Sequence, residues 1–364
     1  MPNTINFARA TKAWDLLWDV DWVTAVQYIG STRKVAAGNR RGQLLLWDLP
    51  EQPGGDAPRP VRQLNGHTNA ITRLQCTADG RWLISTGFDH TIRYWDMQAD
   101  TSENAAVVLN VGAREEAERR NRSLPDAVSV DVGVQSSSRT LQGHEDWIQS
   151  MCLSHDNTML ISGDDLGRIN VWDRASGNQR NRWQVEGWVN ALALTRDNQK
   201  LLVAERVRQV FSSDRYQSVK IRNPSNGETI RDLSNHFSRL EIRAAAFSPD
   251  GSLLALGQGG EISGTAKVFL FDPATGRKLR EINTHRYGVT DLAFSPDGAQ
   301  LLSCGRDTTV RVWNPSNGRE VKQIGTPRGG QFKDWIHSFS LSADGRWLAA
   351  ADMSGLVQIW HLPT

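Results

Sequence analysis

One strand pattern recurs along this chain and constrains its fold more than any other feature of the sequence. Short apolar runs that end in a large aromatic residue, or in a substitute for one, finish at Trp47, Trp95, Trp172, Arg222, Phe271, Trp313 and Trp360. Successive ends are 48, 77, 50, 49, 42 and 47 residues apart. A nearly constant period of this length indicates repeated supersecondary units, and the one long interval indicates an insertion.

Each unit has the pattern of four short strands. In the sixth unit, VTDLAFS is followed by the turn PDG, by AQLLSC, by the hairpin GRDTT and by the strand that ends in Trp313. Alternating apolar residues, cut by Gly, Asp, Asn and Pro every ~8 to 12 residues and without long amphipathic helices between them, indicate antiparallel β structure. Seven such units predict an all-β, seven-bladed β-propeller of four-stranded antiparallel sheets, with residues 1–364 forming a single domain.

Several short motifs make the sequence similar to the WD-repeat family over essentially its whole length. They are NGHTNAI, QGHEDWI and NTHRYGV before first strands, FSPDG at 247–251 and 294–298, and the WD dipeptides. The resemblance implies a non-enzymatic scaffold that holds proteins or peptides on the face around the mouth of a central channel. Blades 4 and 5 depart from the family pattern because they end in Arg222 and Phe271, and blade 1 has Asp19 where a His usually stands.

The last blade lacks an outer strand in its own stretch of sequence. The chain ends four residues after Trp360, and an open ring of blades would expose unpaired strand edges. Residues 12–17 precede Val23 by about the interval at which residues 61–64 precede Ile71. We therefore expect the N-terminal segment to pair into the C-terminal blade and close the ring.

Two blades carry Ser, His and Asp together, a combination that also occurs in catalytic triads. The residues are His67, Ser85, Asp89 and Trp95 in blade 2, and His285, Ser303, Asp307 and Trp313 in blade 6. We favour a structural role, because the resemblance implies that Trp donates to Ser, Ser pairs with His and Asp orients the His, which satisfies buried polar groups. Neither copy shows a G-x-S-x-G elbow. Blade 3 keeps His144, Ser162 and Trp172 but has Leu166 where the acid is expected.

One turn resembles a motif of glycosidase propellers. SADGRW, at 342–347, is close to the Asp-box S-x-D-x-G-x-x-W, but Gly345 follows Asp344 immediately. We therefore interpret it as the ordinary turn between a first and a second strand, and we expect no enzymatic activity.

Composition and spacing argue against other classes of function. The net charge is +2 and basic residues are interleaved with acidic ones, so no basic surface for nucleic acid is predicted. Cys76, Cys152 and Cys304 stand alone in apolar stretches, as buried thiols of a reducing compartment do. No metal or cofactor motif is present, and no apolar run approaches the roughly 18 residues of a membrane span. We expect a cytoplasmic protein without cofactors whose oligomeric state the sequence leaves open.

An alignment of the seven first strands indicates where a partner binds. Their leading aliphatic residues are Val23, Ile71, Ile148, Val189, Ile242, Val289 and Ile336. The residue after each one is polar in every blade: Thr24, Thr72, Gln149, Asn190, Arg243, Thr290 and His337. The residue before is tryptophan in four blades: Trp22, Trp147, Trp188 and Trp335. A core position would not be polar in every repeat, so we expect this column to face water or a ligand.

These two columns predict a partner-binding surface at the channel mouth. The four tryptophans would supply apolar anchors, since Trp is rich among binding hot spots. Gln149, Asn190, Arg243 and His337 would supply hydrogen bonds and recognise an acidic group. Longer hairpins in blades 4 and 5 lie on the same face. The alternative is that each tryptophan merely packs over the top of its own blade.

Blades 1 and 2 are elaborated on the opposite face. PEQPGGDAPRP follows the first WD dipeptide, and an insertion runs from about 98 to 138. Its AREEAERRNR stretch, at 113–122, suggests a short solvated helix and its AVSVDVGV stretch an extra hairpin, although a flexible insertion is the default for this composition. Two other functions stay open: a regulatory or sensory module that docks other chains through these insertions, and an enzyme that uses Arg243, His337 and Asp291.

Overall fold

The computed structural model describes residues 5–18, 22–101, 103–109, 128–208, 215–237, 240–259, 264–327 and 335–363. These residues form thirty β-strands and two single-turn 3-10 helices, Phe7–Arg9 and Ser234–His236. The strands make seven sheets, and the fold is the predicted all-β, seven-bladed propeller. Backbone contacts divide the chain into two compact units, residues 3–140 with 331–364 (unit 1) and residues 141–330 (unit 2). That all 364 residues form a single domain stays a prediction.

Unit 1 contains the sheets of blades 7, 1 and 2. Blade 7 has the strand order β1 (Thr11–Leu17), β30 (Leu356–His361), β29 (Trp347–Asp352) and β28 (Ile336–Leu341). Blade 1 has the order β2 (Val23–Tyr28), β3 (Lys34–Asn39), β4 (Leu44–Asp48), β5 (Pro60–Asn65), β10 (Val128–Ser136) and β9 (Glu103–Leu109). Blade 2 has the order β6 (Ile71–Cys76), β7 (Trp82–Gly87), β8 (Ile92–Asp96) and β11 (Arg139–Leu141).

Unit 2 contains four sheets in which the strands follow chain order. Blade 3 consists of β12 (Ile148–Leu153), β13 (Met159–Asp164), β14 (Arg168–Asp173) and β15 (Gln179–Gln184). Blade 4 consists of β16 (Trp188–Leu194), β17 (Leu201–Arg208), β18 (Arg215–Arg222) and β19 (Thr229–Asp232). Blade 5 consists of β20 (Ile242–Phe247), β21 (Leu254–Gln258), β22 (Thr265–Phe271) and β23 (Lys278–Arg286). Blade 6 consists of β24 (Val289–Phe294), β25 (Leu301–Gly305), β26 (Val310–Trp313) and β27 (Glu320–Ile324).

The N-terminal strand supplies the outer strand of blade 7, as predicted. β1 pairs antiparallel with β30 along its whole length. Trp14, Leu16 and Trp18 of this segment are buried in the core of unit 1, and the Trp14 ring stacks on Trp347 with ring centroids 5.6 Å apart. Burial of one large apolar side chain contributes about 1.5–3 kcal/mol, so the segment stabilises the unit substantially.

The insertion after β8 adds two strands to blade 1. β9 and β10 form an antiparallel hairpin, and β10 runs parallel to β5. Val107, Leu109, Val130 and Val132 of this hairpin are buried in the unit 1 core. The AVSVDVGV stretch is therefore one strand of a hairpin whose other strand is β9, and not a hairpin by itself. The expectation of a flexible insertion is wrong for these two described strands, because their alternating apolar residues cover the sheet. The helix predicted at 113–122 lies outside the described residues.

Tight blade-to-blade packing begins at the leading aliphatic residue of the first strand. Ile71 packs on Gly38 in unit 1, and Val189 packs on Gly163 in unit 2. A Cβ atom on Gly38 or Gly163 would lie 2.8 or 2.4 Å from the nearest side-chain atom of that neighbour. Val289 packs on Gly257 in the same way. The missing side chain therefore sets how closely these neighbouring sheets approach.

Removal of residues 1–20 should lower the melting temperature by at least about 5 °C, because it takes away a whole strand and its buried side chains. Thermal unfolding followed by circular dichroism measures this. Trp14→Ala should cost about 3–5 kcal/mol, whereas Trp22→Ala, the same change at an exposed site, should cost about 0.5 kcal/mol or less. An unchanged melt of the truncated chain would contradict the role given to β1.

Gly163→Ala should destabilise the protein by about 1–3 kcal/mol, because the new methyl group has no room beside Val189. Urea unfolding provides the measurement. Gly264→Ala is the matched control, since nothing lies within 4 Å of a Cβ at that position. Equal stability of the two variants would show that the glycine contact does not control blade spacing.

Candidate partner-binding site

Blade 2 contains a buried chain of hydrogen bonds that uses up its Ser and His side chains. The Trp95 Nε1–H donates to Ser85 Oγ at 2.9 Å, and the Ser85 hydroxyl donates to His67 Nε2 at 2.7 Å. His67 Nδ1 lies 2.9 Å from the Asp89 carboxylate, to which it donates. Ser85 is fully buried. A hydroxyl that already accepts from Trp95 and donates to His67 has no exposed face for a substrate.

The same chain occurs in blade 6. Its distances are 2.9 Å from Trp313 to Ser303, 2.7 Å from Ser303 to His285 and 2.8 Å from His285 to Asp307. Repetition at equivalent positions gives both blades the geometry of the structural network that the resemblance implies.

Blade 3 closes the chain with an acid that the sequence alignment missed. His144 Nδ1 lies 2.7 Å from Asp164 Oδ2, and Ser162 accepts from Trp172 at 2.9 Å. Asp164 stands at the end of β13, two residues before Leu166, and pairs directly with the leading aliphatic residue of β12. The expectation that blade 3 lacks the acid is therefore wrong, because a carboxylate at the strand end reaches the same histidine nitrogen.

The polar column of the first strands coincides with a β-bulge in every blade. Register shifts directly after the leading aliphatic residue in all seven first strands. A bulge leaves one residue outside the ladder and redirects its side chain. Arg243 is exposed, and the other six residues of the column, Thr24, Thr72, Gln149, Asn190, Thr290 and His337, are partly buried. The column is polar because the bulge turns it out of the core.

In unit 2 the tryptophans before these bulges are largely exposed. Trp147 is 44% and Trp188 is 43% exposed, among the most exposed large apolar side chains of the described residues. Their strands, β12 and β16, pack side by side, as do β16 and β20. The Arg206 guanidinium lies over the Trp188 ring at 5.6 Å. More than two fifths of each of these two side chains therefore stays exposed to solvent.

Glu241 connects three polar side chains of this region. It accepts from Arg243 Nε–H at 2.6 Å and from Asn190 Nδ2–H at 3.4 Å, and Arg206 Nη1 lies 3.6 Å away. Gly259 leaves room for the Arg243 side chain, since a Cβ there would lie 2.5 Å from it. Both arginines are thus paired with one carboxylate.

Asp165 is the second carboxylate of this region. Its Oδ2 accepts from Gln149 Nε2–H at 3.1 Å, and its backbone N–H donates to the Trp147 carbonyl at 3.1 Å. Its Oδ1 is buried and has no hydrogen-bond partner among the described residues. The pKa of Asp165 is raised to about 6, first by burial and then by the charges of Asp146 and Asp164. The Gln149 hydrogen bond and the Arg243 charge oppose this rise.

We call this region the Trp147–Trp188 surface and define it by Trp147, Gln149, Asp165, Trp188, Asn190, Arg206, Glu241 and Arg243. The sequence columns identified the indoles and the bulge residues. The alignment of first strands did not identify Asp165 or Arg206. Arg206 lies on a second strand and Asp165 directly follows one, so neither residue belongs to the aligned first strands. Glu241 did stand in the column before the leading aliphatic residue.

Unit 1 carries its own pair of tryptophans. Trp22 is 38% exposed, and the Arg40 guanidinium lies 4.7 Å from its ring centroid. Trp335 is partly buried, and Met353 links the two by donating its N–H to the Trp335 carbonyl and accepting from Trp22 N–H, both at 3.0 Å. His337 follows on the bulge of β28 and is also partly buried.

In the described part of the chain, no group of three or more His, Cys, Asp or Glu side chains is arranged to hold a metal ion, and none of the helices has the length and apolar composition of a membrane span. The three cysteines are free, and burial raises the pKa of the Cys152 thiol to about 12. That thiol is therefore a poor nucleophile.

The carboxylates that end the Trp–Ser–His–Asp hydrogen-bond networks of blades 2 and 6 should make the protein less stable at acid pH. Burial alone would raise the pKa of Asp89, but the hydrogen bond and charge of His67, with Thr91 and Thr68, lower it from 3.8 to about 2. Burial would likewise raise the pKa of Asp307, but His285, Thr309 and Arg311 lower it to about 2. A carboxylate whose pKa is lower in the folded state than in the unfolded state stabilises the fold by about 2 kcal/mol at a pH above the unfolded-state pKa. This contribution is lost as the pH falls from about 4 to 2.

Denaturant unfolding at pH 2 to 7 should therefore show a steep acid loss for the wild type and a shallower one for Asp89→Asn. Asp48→Asn, which removes an exposed carboxylate at the end of β4, is the control and should keep the wild-type profile. Parallel profiles for wild type and Asp89→Asn would rule out the acid-linked contribution.

Known proteins match both the repeats and the length of the chain. The family model for the WD domain, G-beta repeat, matches residues 58–96, 135–173, 276–314 and 322–361. Each match begins near the outer strand of one blade and ends with the third strand of the next. The small ribosomal subunit protein RACK1y of Oryza sativa subsp. japonica is 26% identical over 352 residues, which cover 82% of this chain and 94% of the relative.

Two other relatives are similarly distant. The small ribosomal subunit protein RACK1 of Drosophila melanogaster is 21% identical over 302 residues, which cover 78% of this chain and 89% of the relative. The serine-threonine kinase receptor-associated protein of Gallus gallus is 23% identical over 253 residues, with 70% and 57% covered. With four matched repeats and seven sheets of the propeller pattern, the chain belongs to the WD-repeat family.

Proposed function

We propose that this protein is a non-enzymatic interaction scaffold and that a protein or peptide partner binds the Trp147–Trp188 surface. The observation that carries the proposal is the exposure of two indoles where adjacent first strands begin, at 44% and 43%. Burial of such rings on binding would gain more than burial of almost any other side chain.

The polar groups around the indoles support the same function. Gln149 and Asn190 hold their amides beside the carboxylates of Asp165 and Glu241, at 3.1 and 3.4 Å. Fixed donors and acceptors next to exposed aromatic rings provide specificity at the edge of an apolar contact. The hydrogen bonds also keep the side chains in place before a partner arrives, which lowers the entropy cost of binding.

The relatives favour a scaffold as well. Two of them are named as ribosomal subunit proteins and one as a receptor-associated protein, so each name places its protein in an assembly with other molecules. For this chain we propose a comparable role in the cytoplasm, which the free cysteines favour.

Unit 1 adds a second candidate contact. Trp22 and Trp335 lie before bulges like their counterparts in unit 2, and His337 can donate or accept a hydrogen bond there. We propose that these residues take part in partner binding too. Arg40 would keep the exposed Trp22 ring oriented by stacking on it.

The double variant Trp147→Ala, Trp188→Ala should lose partner capture and keep the melting temperature within about 2 °C, because it removes exposed area and little buried area. Affinity capture on the purified chain from an extract of its own cells, quantified by mass spectrometry, measures the loss. The double variant Ile230→Ala, Leu279→Ala removes apolar groups of similar exposure from outer strands of unit 2 and should capture partners normally. Full capture by the Trp variant would refute the proposed surface.

A regulatory module that docks through unit 1 is the second candidate. The β9–β10 hairpin is packed into the blade 1 sheet and presents β9 as the last strand of that sheet. An outer strand can accept a further strand from a partner. A chain without residues 100–136, tested in the same capture experiment, would lose its partners only if this edge is the docking site.

A further inference from the structure

The identity of the partner group can be inferred from the charges of the Trp147–Trp188 surface, and this step rests on the function proposed above. The two arginines of the surface are occupied. Arg243 Nε–H donates to Glu241 at 2.6 Å, and Arg206 lies both 3.6 Å from Glu241 and over the Trp188 ring. An incoming acidic group would have to compete with Glu241 for these cations. Displacement of an existing charged hydrogen bond weakens any such contact.

The carboxylate of Asp165 has the opposite character. Its Oδ2 accepts from Gln149, but its buried Oδ1 has no partner among the described residues. A buried carboxylate oxygen without a donor is costly, and a positive charge beside the carboxylate offsets part of this cost. The neighbouring acids Asp146 and Asp164 add negative charge, whereas Arg243, a cation that acts on Asp165, is held by Glu241. This corner of the surface therefore attracts positive charge.

An exposed aromatic residue is the cross-strand neighbour of this acid. The backbone N–H of Asp165 donates to the carbonyl of Trp147, so the hydrogen bond holds the two residues side by side. Tryptophan faces attract cations, and guanidinium groups already lie over Trp22 and Trp188 in this protein. An exposed ring and an incompletely hydrogen-bonded carboxylate on neighbouring residues match a side chain with an apolar stem and a cationic end.

We propose that the partner is a protein segment that places an arginine or lysine side chain against Trp147 and pairs its positive charge with the partly buried Asp165 carboxylate. Apolar residues on either side of this basic residue cover Trp188. The rest of the segment makes hydrogen bonds with Gln149 and Asn190. A small acidic ligand or an acidic segment does not fit this arrangement.

Binding of this kind is coupled to proton release. The pKa of free Asp165 is raised to about 6 by burial and by Asp146 and Asp164, against the effects of Gln149 and Arg243. A bound cation favours the ionised carboxylate and lowers this pKa. The affinity is therefore highest above pH 7, and it falls up to about tenfold for each pH unit below 6. A neutral amide at the same position removes this dependence.

A peptide library without charge bias, displayed on phage and selected on the full-length chain, supplies the probes. We expect the selected peptides to share an arginine or lysine among apolar residues and to lose binding to the Trp147→Ala, Trp188→Ala variant. Fluorescence anisotropy of the synthetic peptides then gives dissociation constants at pH 5.0, 6.0 and 7.5. Replacement of the arginine by citrulline, which keeps the shape and removes the charge, should weaken binding at least tenfold.

Asp165→Asn should bind the arginine peptide at least tenfold more weakly at pH 7.5 and with little change at pH 5.0 to 7.5. Glu145→Gln is the matched control, since it removes an exposed carboxylate of the same blade that is paired with Arg168 at 2.7 Å, and it should bind as the wild type does. Unchanged melting temperatures for both variants show that folding is intact.

The outcomes separate the two proposals. The inference is overturned if peptides that depend on Trp147 or Trp188 lack basic residues, contain acidic residues instead, or bind Asp165→Asn with unchanged affinity. Each of these results would leave the proposed binding surface intact. If no selected peptide depends on the two tryptophans, the proposed function fails, and the inference fails with it.

Discussion

The structure depends on one repeated contact, in which the leading aliphatic residue of a first strand packs on the second strand of the neighbouring blade. Val189 on Gly163 shows it in unit 2, and Ile71 on Gly38 shows it in unit 1. Because the glycine offers no side chain, the two backbones approach closely, and the register of the first strand shifts directly after the aliphatic residue. The bulge turns the next residue away from the core. At these contacts a tightly packed position and an outward-facing polar position therefore stand side by side in the first strand.

The sequence was sufficient for this framework because it is periodic. Seven similar units predicted the sheets, and the lack of an outer strand in the last unit predicted the pairing of β1 with β30. The pairing of β10 with β5 could not be predicted in the same way. Alternating apolar residues such as Val107 and Val130 indicate strands, but they do not indicate which sheet edge a strand will cover. That choice depends on which edge lies near the insertion in space.

The position of a residue in the repeat did not predict every buried acid, because an acid at a different position can reach the same buried donor. In blades 2 and 6, the second-strand residue that pairs with the leading aliphatic residue of the same blade is a glycine, and the acid follows two residues later. In blade 3 the residue at this paired position is Asp164 itself. Blade 4 has Glu205 there, and its longer side chain accepts from Gly187 N–H at 3.0 Å and from the Ser218 hydroxyl at 2.7 Å. A buried acceptor must be satisfied, but more than one geometry satisfies it.

The charge of the ligand could not be predicted from the sequence either, because it depends on which charged side chains pair with one another. The alignment showed Arg243 as an outward-facing cation and so suggested an acidic ligand. In the folded chain Glu241, two residues earlier, takes the guanidinium, and the acceptor left without a donor belongs to Asp165 on another blade. A column of residue types gives the sign of each side chain, but not which charges neutralise one another. Only the distances between side chains of different blades determine that, and here they support the basic ligand that we propose.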